Sequence, residues 1–256
     1  MVKKIVRVIK NPRIIGIYLR SKAFDLWKPI QHSFVKPRPM VPRPTEFKEL
    51  EEIRQLALPS TDISDHLVML FTEALERKPN LIVELGVRGG PSNMVLSRVA
   101  KLCGARLISV DIDDCSDVNS DPDWLFVHSD DVAFAEEFPA YCEARGIIPK
   151  IDVLFLDTSH MYDHTVQEIK HWFPHLSDFA TVLLHDTNLG KRCRHRDGRI
   201  MRSHDIQRGV IGPIEDYLGK KFDEGQDFVD IVKPWVIRHY AYSNGFTVMT
   251  RLPFLV

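Results

Sequence analysis

Two short stretches, LDTSH at residues 156–160 and LLHDT at residues 183–187, concentrate groups able to do acid–base and metal chemistry. Each closes a run of apolar residues, so Asp157 and the pair His185-Asp186 fall where a buried strand ends. Neighbouring parallel strands lie about 4.8 Å apart, close enough for carboxylates on adjacent tips to share one small cation. Asp157, His185 and Asp186 are the candidate metal ligands. A hard dication such as Mg²⁺ takes oxygen ligands in octahedral geometry and keeps waters that substrate oxygens can displace. Two neighbouring hydroxyls of a sugar or a catechol meet that need, and coordination lowers a hydroxyl's pKa. His160, three residues beyond Asp157, is the candidate general base. An imidazole ligates Mg²⁺ poorly, so His185 either stands behind the ligands or points to a softer ion, Mn²⁺. The competing reading makes Asp157 and Asp186 helix caps and His160 a packed structural residue. His164 and His171 are expected on a helix surface, with Thr165 and Glu168 forming a capping box.

A second constellation lies upstream, in VELGVRGGPSN at residues 83–93. Gly86, Gly89 and Gly90 permit a sharp turn and a close ligand approach, and Pro91 suits the first turn of a helix. The spacing is not the dinucleotide pattern G-x-G-x-x-G, and Glu84 would repel a pyrophosphate placed against this turn. S-adenosylmethionine carries an ammonium and a sulfonium there instead of phosphate, and an acid favours both. Asp111 ends a second strand, where a carboxylate can accept both ribose hydroxyls. Asp130, beside Ser129 after a third strand, suits the adenine amino group. Glu84, Gly86, Gly90, Ser92, Asp111, Ser129 and Asp130 are the candidate cofactor-binding residues. Asp111 and Asp130 taken singly would equally suit helix N-caps.

The elements that must position these groups follow from the apolar runs LIVEL, LISV, LFV, VLFL and TVLL, which alternate with helix-compatible stretches between Leu81 and Leu184. Fully apolar strands separated by helices indicate a parallel sheet covered on both faces. Ligands of such sheets sit beyond the carboxyl ends of the strands, where all five runs here turn polar or acidic. WVIRHYAY and FTVMTR flank Ser243-Asn244-Gly245, a hairpin signal. The expected fold is therefore α/β: a Rossmann-like, doubly wound, mostly parallel sheet of seven strands with helices on both faces, its last pair an antiparallel hairpin. Trp172 and Phe173 are expected in the core.

Residues 1–45 hold eleven of the 34 Lys/Arg but one of the 35 Asp/Glu. The Pro-rich stretch VKPRPMVPRP closes this basic head, so 1–45 reads as an extension and 46–256 as the functional domain. The head suits contact with a neighbouring subunit of a homo-oligomer, with the acidic body, or with an anionic membrane surface or glycolipid. Net charge is -1, which gives no sign of nucleic-acid binding. Four cysteines without a C-x-x-C pair, and no apolar run of about 20 residues, indicate a cytoplasmic protein. The long basic loop 188–209 leaves the fifth strand beside the candidate metal ligands and reads as a lid over the acceptor.

Glu84-x-Gly86, Asp111 and Asp130 occur in the order found in class I S-adenosylmethionine-dependent methyltransferases, and the chain resembles that class over about residues 60–251. LDTSH with LLHDT resembles one branch of it, the metal-dependent macrocin O-methyltransferase and cephalosporin-hydroxylase-like group. That resemblance implies Asp157 and Asp186 as ligands to Mg²⁺ or Mn²⁺, His160 as base, and methylation of a sugar or glycoside hydroxyl. His185 stands where the branch has an acid. A catechol-like acceptor is the near alternative. A nucleotide-sugar oxidoreductase or epimerase and a non-catalytic cofactor-binding scaffold are the others; the former would want a third glycine in the phosphate turn and no Glu84.

Overall fold

Leu81–Leu85 is buried at every position, the mark of a strand covered on both faces. The computed structural model describes residues 48–59, 61, 63–189, 192–194, 200–202 and 208–254. The basic head 1–45 and most of the loop 188–209 lie outside the described residues, so both expectations remain readings of the sequence. Two helices come first, α1 (Lys48–Leu56) and α2 (Leu67–Glu76). The alternation then runs β1 (Leu81–Leu85), α3 (Pro91–Cys103), β2 (Arg106–Asp111), β3 (Trp124–His128), α4 (Asp131–Glu143), β4 (Ile151–Leu156), α5 (Tyr162–Trp172) and β5 (Leu176–His185). The short strands β6 (Arg192–Arg194) and β7 (Ile200–Arg202) pair with each other. After α6 (Ile211–Leu218) come β8 (Phe228–Val232), β9 (Trp235–Tyr240) and β10 (Phe246–Arg251).

The main sheet has the order β3-β2-β1-β4-β5-β10-β9-β8. β1 to β5 are parallel, and β10, β9 and β8 continue antiparallel from β5. The expected parallel strands and the hairpin between β9 and β10 are present. The count of seven is corrected to eight, because Phe228–Val232 adds an antiparallel edge. Along that strand Val229 and Ile231 point outward, 72% and 58% exposed, so it lacks the continuous apolar run of the inner strands.

Period-two alternation divides the core between the two faces. Leu81, Val83, Leu85, Leu154, Leu156, Val182 and Leu184 pack with Phe134, Phe138 and Trp172. Ile82, Val153, Phe155 and Leu183 pack on the other side with Leu70, Phe71, Leu96 and Val99. Helices α4, α5 and α6 therefore cover one face and α1, α2 and α3 the other. Trp172 and Phe173 lie in the first of these cores, as expected. No helix among the described residues is long and apolar enough to cross a membrane.

Register sets the site. Leu85 is level with Leu156, and Leu156 with Leu184. Asp157 and His185 thus follow at one height on adjacent tips, with the turn after β1 on their other side.

Candidate active site

The turn after β1 is shaped by close backbone packing. Gly86 has φ +89°, and a Cβ there would meet the carbonyl oxygen of Asp157 at 2.2 Å. Gly90 has φ +83°, caps α3 ahead of Pro91, and leaves room for Val118. Both positions require glycine, and the first presses the turn directly against the chain that carries Asp157.

Beneath this turn lies a closed polar network. Glu84 is fully buried and accepts from Ser92 Oγ at 2.7 Å, Asn93 Nδ2 at 2.7 Å and Ser109 Oγ at 2.6 Å. Ser109 accepts in turn from Trp124 Nε1, and Asn93 Oδ1 from Asn119 Nδ2. Burial pushes the Glu84 carboxyl up to about 7, although three donors pull the other way. Glu84 and Ser92 therefore face each other beneath the turn. The reason is register: Glu84 alternates to the face covered by α3 and finds its donors there.

Asp111 Oδ2 accepts from the backbone N–H groups of Val87 and Arg88, at 2.7 and 2.9 Å, and Oδ1 from that of Asp113. Burial would raise this carboxyl, but the three N–H groups outweigh it and hold it low. It sits at the rim of the turn. Asp130 is exposed and caps α4, accepting from the Ala133 N–H at 3.0 Å, while the Ser129 hydroxyl donates to the Asp130 carbonyl. The N-cap reading of Asp130 is thus realised in the fold.

On the other side of Gly86, the tips of β4 and β5 bring Asp157, His160 and Asp186 together, with one ligand atom of each within 4.8 Å of the others. His160 Nε2 lies 3.1 Å from Asp157 Oδ1 and 3.0 Å from Asp186 Oδ2. His160 and Asp186 both take left-handed backbone, φ +55° and +58°, which turns their side chains inward. Burial alone would lower the His160 pKa, but Asp186 and Asp157 raise it to about 10. Asp157 is carried down to about 2 by His185 and His160 against the opposing effect of burial. Asp186 Oδ1 is buried without an aligned hydrogen-bond donor.

His185 is 1% exposed and stands behind both carboxylates, its Nδ1 3.2 Å from Asp157 Oδ1 and 3.2 Å from Asp186 Oδ1. Of the expected trio, Asp157 and Asp186 come together with His160, and His185 lies behind them. His185 Nε2 meets His66 Nδ1 at 3.1 Å. Burial and then the adjacent His185 hold His66 at about 3, so it is neutral. His66 precedes α2, packs on Tyr242 and Phe246, and had no signal in the sequence. Asn93 and Ser109 escaped notice as well, since neither stands on a strand tip.

Residues 83–187 match the family model described as "Methyltransferase domain". The matched segment opens one residue before Glu84 and closes one residue after Asp186, so it holds both constellations. Two solved methyltransferase structures share the fold, and a third is similar in part. MycE methyltransferase from the mycinamycin biosynthetic pathway, in complex with Mg, SAH and mycinamycin VI, is 16% identical with a TM-score of 0.51, over 81% of this chain and 54% of that one. A crystal of MycE with Mg and SAH gives 17% and 0.50, over 80% and 55%. An O-methyltransferase from Bacillus cereus in complex with SAH gives 12% and 0.48, over 89% and 99%. This chain spans about half the length of the MycE chains it matches. The class I methyltransferase fold read from the sequence is borne out.

Proposed function

We propose that the chain is an S-adenosylmethionine-dependent O-methyltransferase that uses a divalent cation and methylates a hydroxyl of a sugar or glycoside. The observation that carries this reading is the meeting of Asp157, His160 and Asp186 beside the Gly86 turn. A donor lodged over the turn and an acceptor held at the strand tips would then be neighbours. The residues fit a divalent ion: two carboxylates converge, and Asp186 Oδ1, buried and without an aligned hydrogen bond, is open to a cation. The Mg and SAH in the MycE crystals agree with this reading.

Asp157 and Asp186 would hold the ion, with His185 keeping both carboxylates in place from behind. Bound there, the cation supplies Lewis acidity that lowers a hydroxyl's pKa, and S-adenosylmethionine supplies the electrophilic methyl group. The turn at residues 86–92 would bind the donor, with Asp111 at its rim and Ser129 and Asp130 beyond. His160 Nε2 faces both carboxylates, and a cation held between them would take over the role of its proton, leaving the imidazole able to accept the hydroxyl proton. Two carboxylates facing one ion favour an acceptor with adjacent oxygens, hence a sugar diol.

Calorimetry with S-adenosylhomocysteine, with and without Mg²⁺ or Mn²⁺, tests cofactor use. Mass spectrometry of glycoside and catechol panels tests the acceptor. Binding plus a metal-dependent gain of one methyl group on a glycoside is the expected result. Transfer to catechols alone would replace the acceptor class, and no S-adenosylhomocysteine binding under either condition would remove the whole reading.

A further inference from the structure

A second cluster of the same residue types lies between α4 and α5. Asp131 opens α4, and His164 and Glu168 stand one turn apart on α5. One ligand atom of each lies within 4.8 Å of the others. His164 Nε2 is 3.0 Å from Asp131 Oδ1 and 3.6 Å from Glu168 Oε1. Glu168 and Asp131 are 1% and 7% exposed, while the His164 ring is only partly covered. Glu168 is thus buried between the helices instead of closing a capping box with Thr165, and His164, expected on the helix surface, is half-covered. The helix begins at Tyr162, and Glu168 turns inward to accept from Thr158 Oγ1 at 2.6 Å.

The donors here fall short of the acceptors. Two carboxylates present four oxygens, and the imidazole and one hydroxyl serve only some of them. Asp131 Oδ2 is buried with no hydrogen-bond donor among the described residues. A buried ionised oxygen without a donor is costly. Burial and then the facing Asp131 carboxylate raise Glu168 to about 7, a sign that negative charge is crowded at this point. A cation between the two acids would relieve that crowding.

We propose that Asp131, His164 and Glu168 form a second divalent-cation site that joins α4 to α5. One imidazole with two carboxylates suits a borderline ion such as Mn²⁺ or Zn²⁺ better than Mg²⁺ or Ca²⁺. The ion's task is structural. Glu168 also holds Thr158, the residue after Asp157, so an ion on Glu168 braces the segment that carries Asp157 and His160. The inference rests on this cluster's own geometry and stands whether or not the strand tips bind metal.

Mn²⁺ titration of the full chain, read by electron paramagnetic resonance of the free ion, gives the stoichiometry directly. The D157N/D186N variant should keep a single Mn²⁺, and adding E168Q should weaken that binding at least about tenfold. Far-UV circular dichroism checks that each variant is folded, and D131N serves in place of E168Q if the latter unfolds. If E168Q removes the only ion that the wild type binds, this site holds and the metal at the strand tips falls. If D157N/D186N binds no Mn²⁺, or its ion survives E168Q and D131N, the proposal is overturned. It is equally overturned if E168Q changes only the pH dependence of melting near pH 7, for then the two acids share a proton. A wild type that binds no Mn²⁺ ends both metal assignments.

Discussion

The acids on the two sides of Gly86 are satisfied in opposite ways. Below the turn, Glu84 is met by two hydroxyls and an amide, and Asp111 at the rim by three backbone N–H groups. Across from it, Asp157 and Asp186 are met chiefly by the imidazoles of His160 and His185. Hydroxyl, amide and backbone donors hold one geometry and carry no proton that titrates near neutral pH. A protonated imidazole can yield its place to another cation. Glu84 is the more deeply buried and has the higher pKa, yet Asp157 is the better candidate for chemistry. Depth alone does not separate a working acid from a structural one; the nature of its partner does.

That contrast can be broken by experiment. Asp157→Asn or Asp186→Asn should cost several kcal/mol of transition-state stabilisation, on the order of 10³- to 10⁴-fold in turnover. Affinity for S-adenosylhomocysteine, read by calorimetry, should survive, and chelation of the wild type with EDTA should reproduce the loss. His160→Ala should lower kcat by roughly 10²- to 10³-fold in the same assay, since it removes a base and leaves the carboxylates. Cofactor binding that fell with kcat in either case would erase the distinction between the two sides.

Glu84 predicts a stability effect instead. Its folded pKa of about 7 lies above the ordinary 4.5. Its contribution is therefore complete below pH 4.5 and is lost as pH rises through about 7. The loss is on the order of 3 kcal/mol at roughly 1.4 kcal/mol per unit. Denaturant melts across that window should slope downward for the wild type and lie nearly flat for Glu84→Gln. Gly86→Ala should destabilise by about 2 kcal/mol, because it combines left-handed backbone with a steric clash against Asp157. Chemical denaturation measures it, and a neutral outcome would mean that the turn and the strand tip are less tightly joined than their contact implies.

Much of this architecture was legible in the sequence because the inner strands are apolar on both faces and end abruptly in polar residues. Asp157, His160 and Asp186 could be read for the same reason: a strand tip is a fixed address. β8 was not legible, since an edge strand with outward Val229 and Ile231 has no continuous run to betray it. His66 touches His185 across 119 residues of chain, and only the packing of the segment before α2 creates that contact. Helix α5 misled in a different way. Glu168 fits a capping box and His164 a helix surface by spacing, but α4 docks on that face, burying Glu168 with Asp131 and half-covering His164. Glu84 was found for its type and position, but its three donors were not, because alternation along β1 decides which way it points.

The left-handed backbone at His160 and Asp186 has an evolutionary corollary. Glycine would relieve about 1 kcal/mol of strain at either position. A library of this chain sorted only for heat resistance should therefore accumulate glycine at 160 and 186, whereas one sorted for product formation should purge it. The divergence between those two populations would mark the residues at which this protein trades robustness for work.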